Sequence, residues 1–330
     1  MSGDAGSLRD SGTDLCGADR ILVNTDIHRE GQPCVSLAPR AAAFAVLVAG
    51  GICLGTAPVV VKATGLPPEI SAFYRVALAA PLFLAWSLAA CAGRPPAPRA
   101  AGRPLAALTG LAAFLFAADL AVMHYAIGAT NVAVATLFTN CAPFFVGLFG
   151  LIGLADAPTA RFWQALPAAL AGTALLIGLD GTNPAGGLAG SAAALLAGAL
   201  YGGYLTVVKA LRARGATPIR VMAAVSVGST LLLLPLFWRQ GMPVPNAVRV
   251  WLLLAVLVLF GQVAGQGLVT VALRHLPVAL SSLVLLIQPV VAALLSRILL
   301  GETLSLIQAS GIGLVLAAIA LAAMPVRPRA

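Results

Sequence analysis

Charge is what this sequence has least of: only 9% of its 330 residues are Asp, Glu, Lys or Arg, against roughly 25% in an average soluble domain. That shortfall excludes an ordinary water-exposed globular surface and makes the bilayer the expected solvent. Basic residues outnumber acidic ones by 20 to 11, but they stand singly in short polar stretches without aromatic interleaving, so no nucleic-acid partner is expected. The five cysteines (Cys16, Cys34, Cys53, Cys91 and Cys141) are odd in number, scattered and without a C-x-x-C. They signal neither a disulfide framework nor a zinc site. The three histidines, His28, His124 and His275, form no cluster, and no metal is expected. Also missing are G-x-S-x-G, H-E-x-x-H and Walker sequences. No cofactor is therefore expected, and an integral-membrane enzyme or a self-contained ATP-driven pump lacks its machinery.

What the chain has in abundance is apolar runs. Covering a hydrocarbon core of about 30 Å takes about 20 apolar residues per helix, and punctuation by Pro, Gly and charge gives ten candidates. They lie near 41–61, 70–91, 105–127, 131–153, 161–179, 187–208, 218–238, 249–271, 277–299 and 304–324. The predicted fold class is all-α integral membrane. Residues 1–38 carry Asp4, Asp10, Asp14, Asp19, Asp26 and Glu30 among Ser and Gly, which reads as a disordered cytoplasmic tail without the basic n-region of a signal peptide. Arg94, Arg99, Arg103, Arg161, Lys209, Arg212, Arg214, Arg220 and Arg274 fall in loops on one side, with Arg40, Arg327 and Arg329 flanking the bundle there. Basic residues resist translocation, so the expectation is a cytoplasmic (inner) membrane protein with both termini in the cytoplasm.

The chain also resembles itself. A shift of 146 residues lays AIGATNVAVATLFTNCAP (126–143) on ALRHLPVALSSLVLLIQP (272–289), matching Val132 with Val278, Ala133 with Ala279, Leu137 with Leu283 and Pro143 with Pro289. The same shift pairs Asp156 with Glu302, and a shift of 147 pairs Gly51 and Gly55 with Gly198 and Gly202, and Lys62 with Lys209. Two five-helix halves follow, 41–179 and 187–324. Because five is odd, the second half enters the membrane from the opposite side, and the repeats are inverted, an architecture through which many secondary transporters alternate access.

Four stretches carry a wider resemblance: GICLGTAPVVVK (51–62), PPEISAFYRVALAAP (67–81), AIGATNVAVATLFTNCAPFF (126–145) and LPVALSSLVLLIQPVVAALLSRILLGETLSLIQASGIG (276–313). On these the chain resembles the drug/metabolite transporter superfamily, specifically its EamA-type ten-helix members, over roughly residues 41–324. It departs from that pattern at Gly51 and Leu54, near where many members place Trp, and at Leu-Ala-Asp-Ala (154–157), where Gly-Glu is usual. The resemblance implies a central pathway lined by the first four helices of each half, with the fifth and tenth bracing it. It also implies a small-molecule substrate, a metabolite or drug, carried outward and coupled to a proton gradient. Membrane lipid and a second copy of the chain, as a homodimer, complete the expected partners. A channel or scaffold is the alternative reading, and an integral-membrane enzyme a weaker one.

Among individual residues, Asp119 stands midway along the third span, where an ionised carboxylate is costly unless it faces a wet cavity or a partner. It is the proton-coupling candidate, set against the alternative of a carboxyl that ties two helices together. His124 is about 140° round the same helix and does not share its face. Thr136, Asn140 and Pro143 give the fourth span a polar stripe, and Ser281, Ser282, Gln288 and Pro289 give the ninth a comparable one. With Gln262 and Gln266 on the eighth span they are candidates for a ligand-bonding cavity, each against the alternative of simple interhelical glue. Arg75 and Tyr74 join that set. Arg75 can meet an anionic substrate or counter Asp119, although an interfacial arginine paired with Glu69 is the favoured reading. Gly51 and Gly55, Gly198 and Gly202, and Gly261 and Gly265, each four apart, read as close helix-packing positions.

Overall fold

The computed structural model describes residues 37–91, 103–129, 132–178, 188–300 and 304–324. Most of the tail 1–38, and Glu302, lie outside them. Every regular element among the described residues is helical, as a chain in hydrocarbon requires, because no water is there to bond an open backbone. Among the described residues ten helical runs are long and apolar enough to cross a membrane. In chain order the spans are Arg40–Thr64, Pro68–Ala90, Pro104–Ala129, Val134–Leu151, Ala160–Ile177, Leu188–Ala213, Pro218–Arg239, Val248–Ala272, Val278–Leu299 and Leu306–Ala323. Among the described residues, side-chain caps start three of them. Thr159, Thr217 and Ser305 accept from the amides of Phe162, Arg220 and Gln308, satisfying donors the first turn leaves unbonded.

Three spans are broken, and proline accounts for each break. The first is interrupted at Thr56 ahead of Pro58, the fourth at Asn140 and Cys141 ahead of Pro143, and the ninth at Leu285 and Leu286 ahead of Pro289. Proline has no amide hydrogen to continue the ladder and sits best in the first turn of a new segment. The fourth and ninth spans are repeat counterparts and break within one residue of the same place. The sixth span, counterpart of the first, has Leu205 where the first has Pro58, and runs unbroken from Leu188 to Ala213. The eighth is widened instead, with a ten-residue π-helical stretch over Leu257–Gln266, a distortion that recurs at functional sites.

Two repeated halves are visible in how the spans pack. The third lies on the sixth and the first on the eighth; the fourth lies on the sixth and the first on the ninth; the third lies on the seventh and the second on the eighth. The second also meets the seventh, the fourth the ninth and the fifth the tenth. Advancing each span by five turns every one of these pairs into another of the set or into itself, as a two-fold relation between halves demands.

The matched glycines sit at the matched crossings. A Cβ on Gly51 would come within 2.6 Å of Ile287 Cγ2, and one on Gly55 within 2.6 Å of Val291 Cβ. A Cβ on Gly198 or Gly202 would also crowd the fourth span, at 2.9 Å from the Thr139 carbonyl oxygen and 3.1 Å from that of Ala142. Gly265 lies against Leu54 at 2.8 Å. Gly261 does not fit the packing expectation. A Cβ there meets Leu257, Ala57 and Arg75 only at ordinary distances of 3.5–3.6 Å.

Candidate functional site

Buried and half-buried polar side chains from the second, third, sixth, eighth and ninth spans, from both halves, meet in one cluster. Phe116 and Asp119 share a face of the third span, three residues apart. Phe116 packs on Tyr204 of the sixth with ring centroids 4.8 Å apart, and Tyr204 stacks in turn on Tyr201 at 5.9 Å. The Arg75 guanidinium carbon lies 5.7 Å from the centre of the Phe116 ring, within cation–π range. Gln266 donates from Nε2 to the Tyr201 hydroxyl at 3.5 Å, and the Gln288 side chain approaches the same hydroxyl. Thr270 approaches Tyr204 and donates to the Gln266 carbonyl at 2.8 Å.

Arg75 and Asp119 act on one another electrostatically across this cluster, and both act on Tyr201 and Tyr204. They make no direct ion pair. Instead Arg75 Nε, Asp119 Oδ1, Tyr204 Oη, Gln266 Oε1 and both polar atoms of Gln262 are buried without a hydrogen-bond partner. Asp119 is 6% exposed and Gln262 is fully enclosed. A further such atom is Ser226 Oγ on the seventh span. Leaving one such group unbonded costs about 1–3 kcal/mol, so the set on Arg75, Asp119, Tyr204 and Gln266, with Gln262 one turn before Gln266, marks a region built to bond a solute or solvent rather than to pack. Among the described residues no three His, Cys, Asp or Glu side chains converge on a metal position.

Other sequence candidates lie elsewhere. Tyr74 faces away from its neighbour Arg75: its hydroxyl donates to the Pro243 carbonyl at 3.0 Å, and its ring packs on Phe73, Phe237 and Trp251. It is a packing residue, because consecutive helix positions point about 100° apart. Three polar side chains of the fourth and ninth stripes turn onto their own backbones near the breaks. Asn140 Nδ2 donates to the Thr136 carbonyl at 2.8 Å, Ser281 to that of Pro277 at 3.0 Å and Ser282 to that of Ala279 at 2.9 Å. Of that set Gln288 reaches the central cluster.

The pairing of Arg75 with Glu69 is also corrected. Glu69 Oε1 accepts from Gln240 Nε2 at 3.3 Å, while Arg75, nearly two turns further along, points inward to Phe116. His124 bonds the Leu120 carbonyl through Nδ1 and lines a small cleft with Glu69 and Gln240, off the Asp119 face as expected. Sequence reasoning missed Phe116, Tyr201, Tyr204 and Thr270. A signal was there for the tyrosines: the chain has only four, and two of them stand three apart inside one span beside Gly202 and Gly203.

Comparison with known proteins gives this arrangement its class. A transporter of Bacillus subtilis (strain 168), described as "Uncharacterized transporter YwfM", is 30% identical over 226 residues, covering 67% of this chain and 74% of that protein. One solved crystal structure superposes with a TM-score of 0.72 at 18% identity, covering 86% of this chain and 98% of that one, a likeness of fold. The sequence matches the EamA-like transporter family twice, over residues 41–178 and 188–324, one match on each half. The chain is therefore a multi-pass membrane protein of the EamA-like transporter family, within the drug/metabolite transporter superfamily.

Proposed function

We propose that this protein carries a small metabolite or drug outward across the cytoplasmic membrane by alternating access, coupled to the proton gradient through Asp119, with both termini in the cytoplasm. The observation that carries the reading is the set of unpartnered buried polar atoms on Arg75, Asp119, Tyr204, Gln262 and Gln266, placed where the two halves meet. A scaffold has no use for buried groups that cost free energy unbonded, whereas a carrier binds its solute with them. Both halves contribute, Arg75 and Asp119 from the first and Tyr201, Tyr204, Gln262, Gln266 and Gln288 from the second, so rocking one half against the other opens the site to either side in turn.

The broken first, fourth and ninth spans give that motion its joints, since each interrupts the ladder at a proline. Asp119 suits coupling because a carboxyl in hydrocarbon is stable neutral and costly ionised, and it gains or loses its proton as the site meets acid or alkaline water. The test is flux. Candidate solutes are drawn from compounds that accumulate inside cells lacking the protein, and each is followed in proteoliposomes. Saturable movement that responds to an imposed pH gradient is expected. Non-saturating movement indifferent to the gradient would replace the carrier reading with a channel.

A further inference from the structure

We infer that the central site takes a compact organic carboxylate, held by the Arg75 guanidinium, and that the solute's carboxylate and that of Asp119 compete for this one cation. The inference rests on the transporter reading and names its substrate class. Guanidinium stays charged at every pH a cell meets. Here it is surrounded by Phe116, Gly261 and the two tyrosines, and its Nε lacks a partner. Among the described residues the acid that acts on it is Asp119, from the third span, which also brings the His124 imidazole within electrostatic reach of Arg75. The sixth span adds only Tyr201 and Tyr204, and the eighth only the amides of Gln262 and Gln266.

The two charges behave differently. Asp119 can lose its charge by taking a proton; Arg75 cannot. With Asp119 ionised, its carboxylate offsets the guanidinium across the cluster. With Asp119 protonated, Arg75 is an uncompensated cation in an apolar setting, and a solute carboxylate is the group that restores balance. A cationic solute meets repulsion in either state. The solute body then has the Phe116–Tyr204–Tyr201 ring ladder to lie on and the free amide atoms of Gln262 and Gln266 to bond. One proton on Asp119 and one carboxylate on Arg75 load together and cross together without net charge, so an acid accumulated inside leaves with its proton, and acid outside drives the reverse.

The test uses full-length protein in detergent and three probes of one shape: benzoate, benzamide and benzylamine. Benzoate is expected to raise the thermal unfolding temperature of the wild type, and the amide and amine to leave it unchanged. Affinity for benzoate should fall at least about tenfold in Arg75→Gln, the loss of a charge-assisted bond, and survive in part in Arg75→Lys. Wild-type affinity should weaken from mildly acidic to alkaline buffer, while Asp119→Asn holds benzoate equally at both. If Arg75→Gln does not fold, the Asp119→Asn comparison decides alone. No stabilisation by benzoate, equal stabilisation by benzamide or benzylamine, full affinity in Arg75→Gln, or unchanged pH dependence in Asp119→Asn overturns the inference. Each leaves the transporter reading standing, since that is tested by flux.

Discussion

Gly172 and Gly311 stack backbone on backbone where the fifth and tenth spans cross. A Cβ on Gly172 would lie 2.9 Å from the Gly311 carbonyl oxygen, and one on Gly311 would lie 2.6 Å from that of Gly172. Neither oxygen can move aside without bending its helix. Gly311→Val is therefore expected to destabilise the protein by about 1–3 kcal/mol, the usual cost of overpacking, seen as a lower thermal unfolding temperature in detergent. Gly313→Ala on the same helix meets nothing within 4 Å and is expected to leave stability unchanged or slightly raised. Equal effects at the two positions would show that the fifth and tenth spans do not brace one another this way.

Lys209 makes a second joint, at the end of the sixth span. Its ammonium lies 3.7 Å from Asp156 and donates to the Leu276 carbonyl at 3.0 Å, tying the turn after the fourth span to the turn before the ninth. The Asp156 side chain is 46% exposed, so Asp156→Asn is expected to cost less than about 1 kcal/mol. Lys209→Met also strips a carbonyl of its donor and is expected to cost more. Thermal unfolding of both variants at low and high salt checks the order, with salt weakening only the ion-pair part.

The fold was legible in the sequence because its strongest signals are coarse. Apolar run length places the spans, and matched prolines at 143 and 289 with matched glycines at 51, 55, 198 and 202 reveal the repeat without any knowledge of contacts. Asp119 was legible too, since one acid in an apolar helix stands out by solvation cost alone. Arg75, Gln262, Gln266 and Gln288 stood out on the same ground, whereas their surroundings and the aromatic part of the site did not. Arg75 has Glu69 nearby in sequence, and only the packing of the second span on the third shows that its partner is Phe116. Tyr201 and Tyr204 look like core aromatics until Gln266 is seen across the helix interface. Asn140, Ser281 and Ser282 were harder to read because a polar stripe looks the same whether its hydroxyls and amides face a cavity or the helix's own carbonyls.

Orientation rests on loop charge. Reporter fusions after Arg103, Lys209 and Arg274 are expected to report cytoplasm, and fusions near Gly65 and Gly241 the opposite side. Reversal at every position would overturn the proposed placement of the termini, whereas reversal at one would move a single span boundary.

The most direct measurement of the central claim is pH-gradient-driven uptake by Asp119→Asn in proteoliposomes, alongside solute exchange at equal pH. Asn keeps the shape of Asp but cannot titrate. Accumulation under an imposed gradient is expected to fall to the level of protein-free vesicles, while exchange persists and the unfolding temperature stays within a few degrees of the wild type. Asp119→Asn that still accumulates solute in response to the gradient, at a rate near that of the wild type, would contradict the assignment of Asp119 as the group through which protons and solute are coupled.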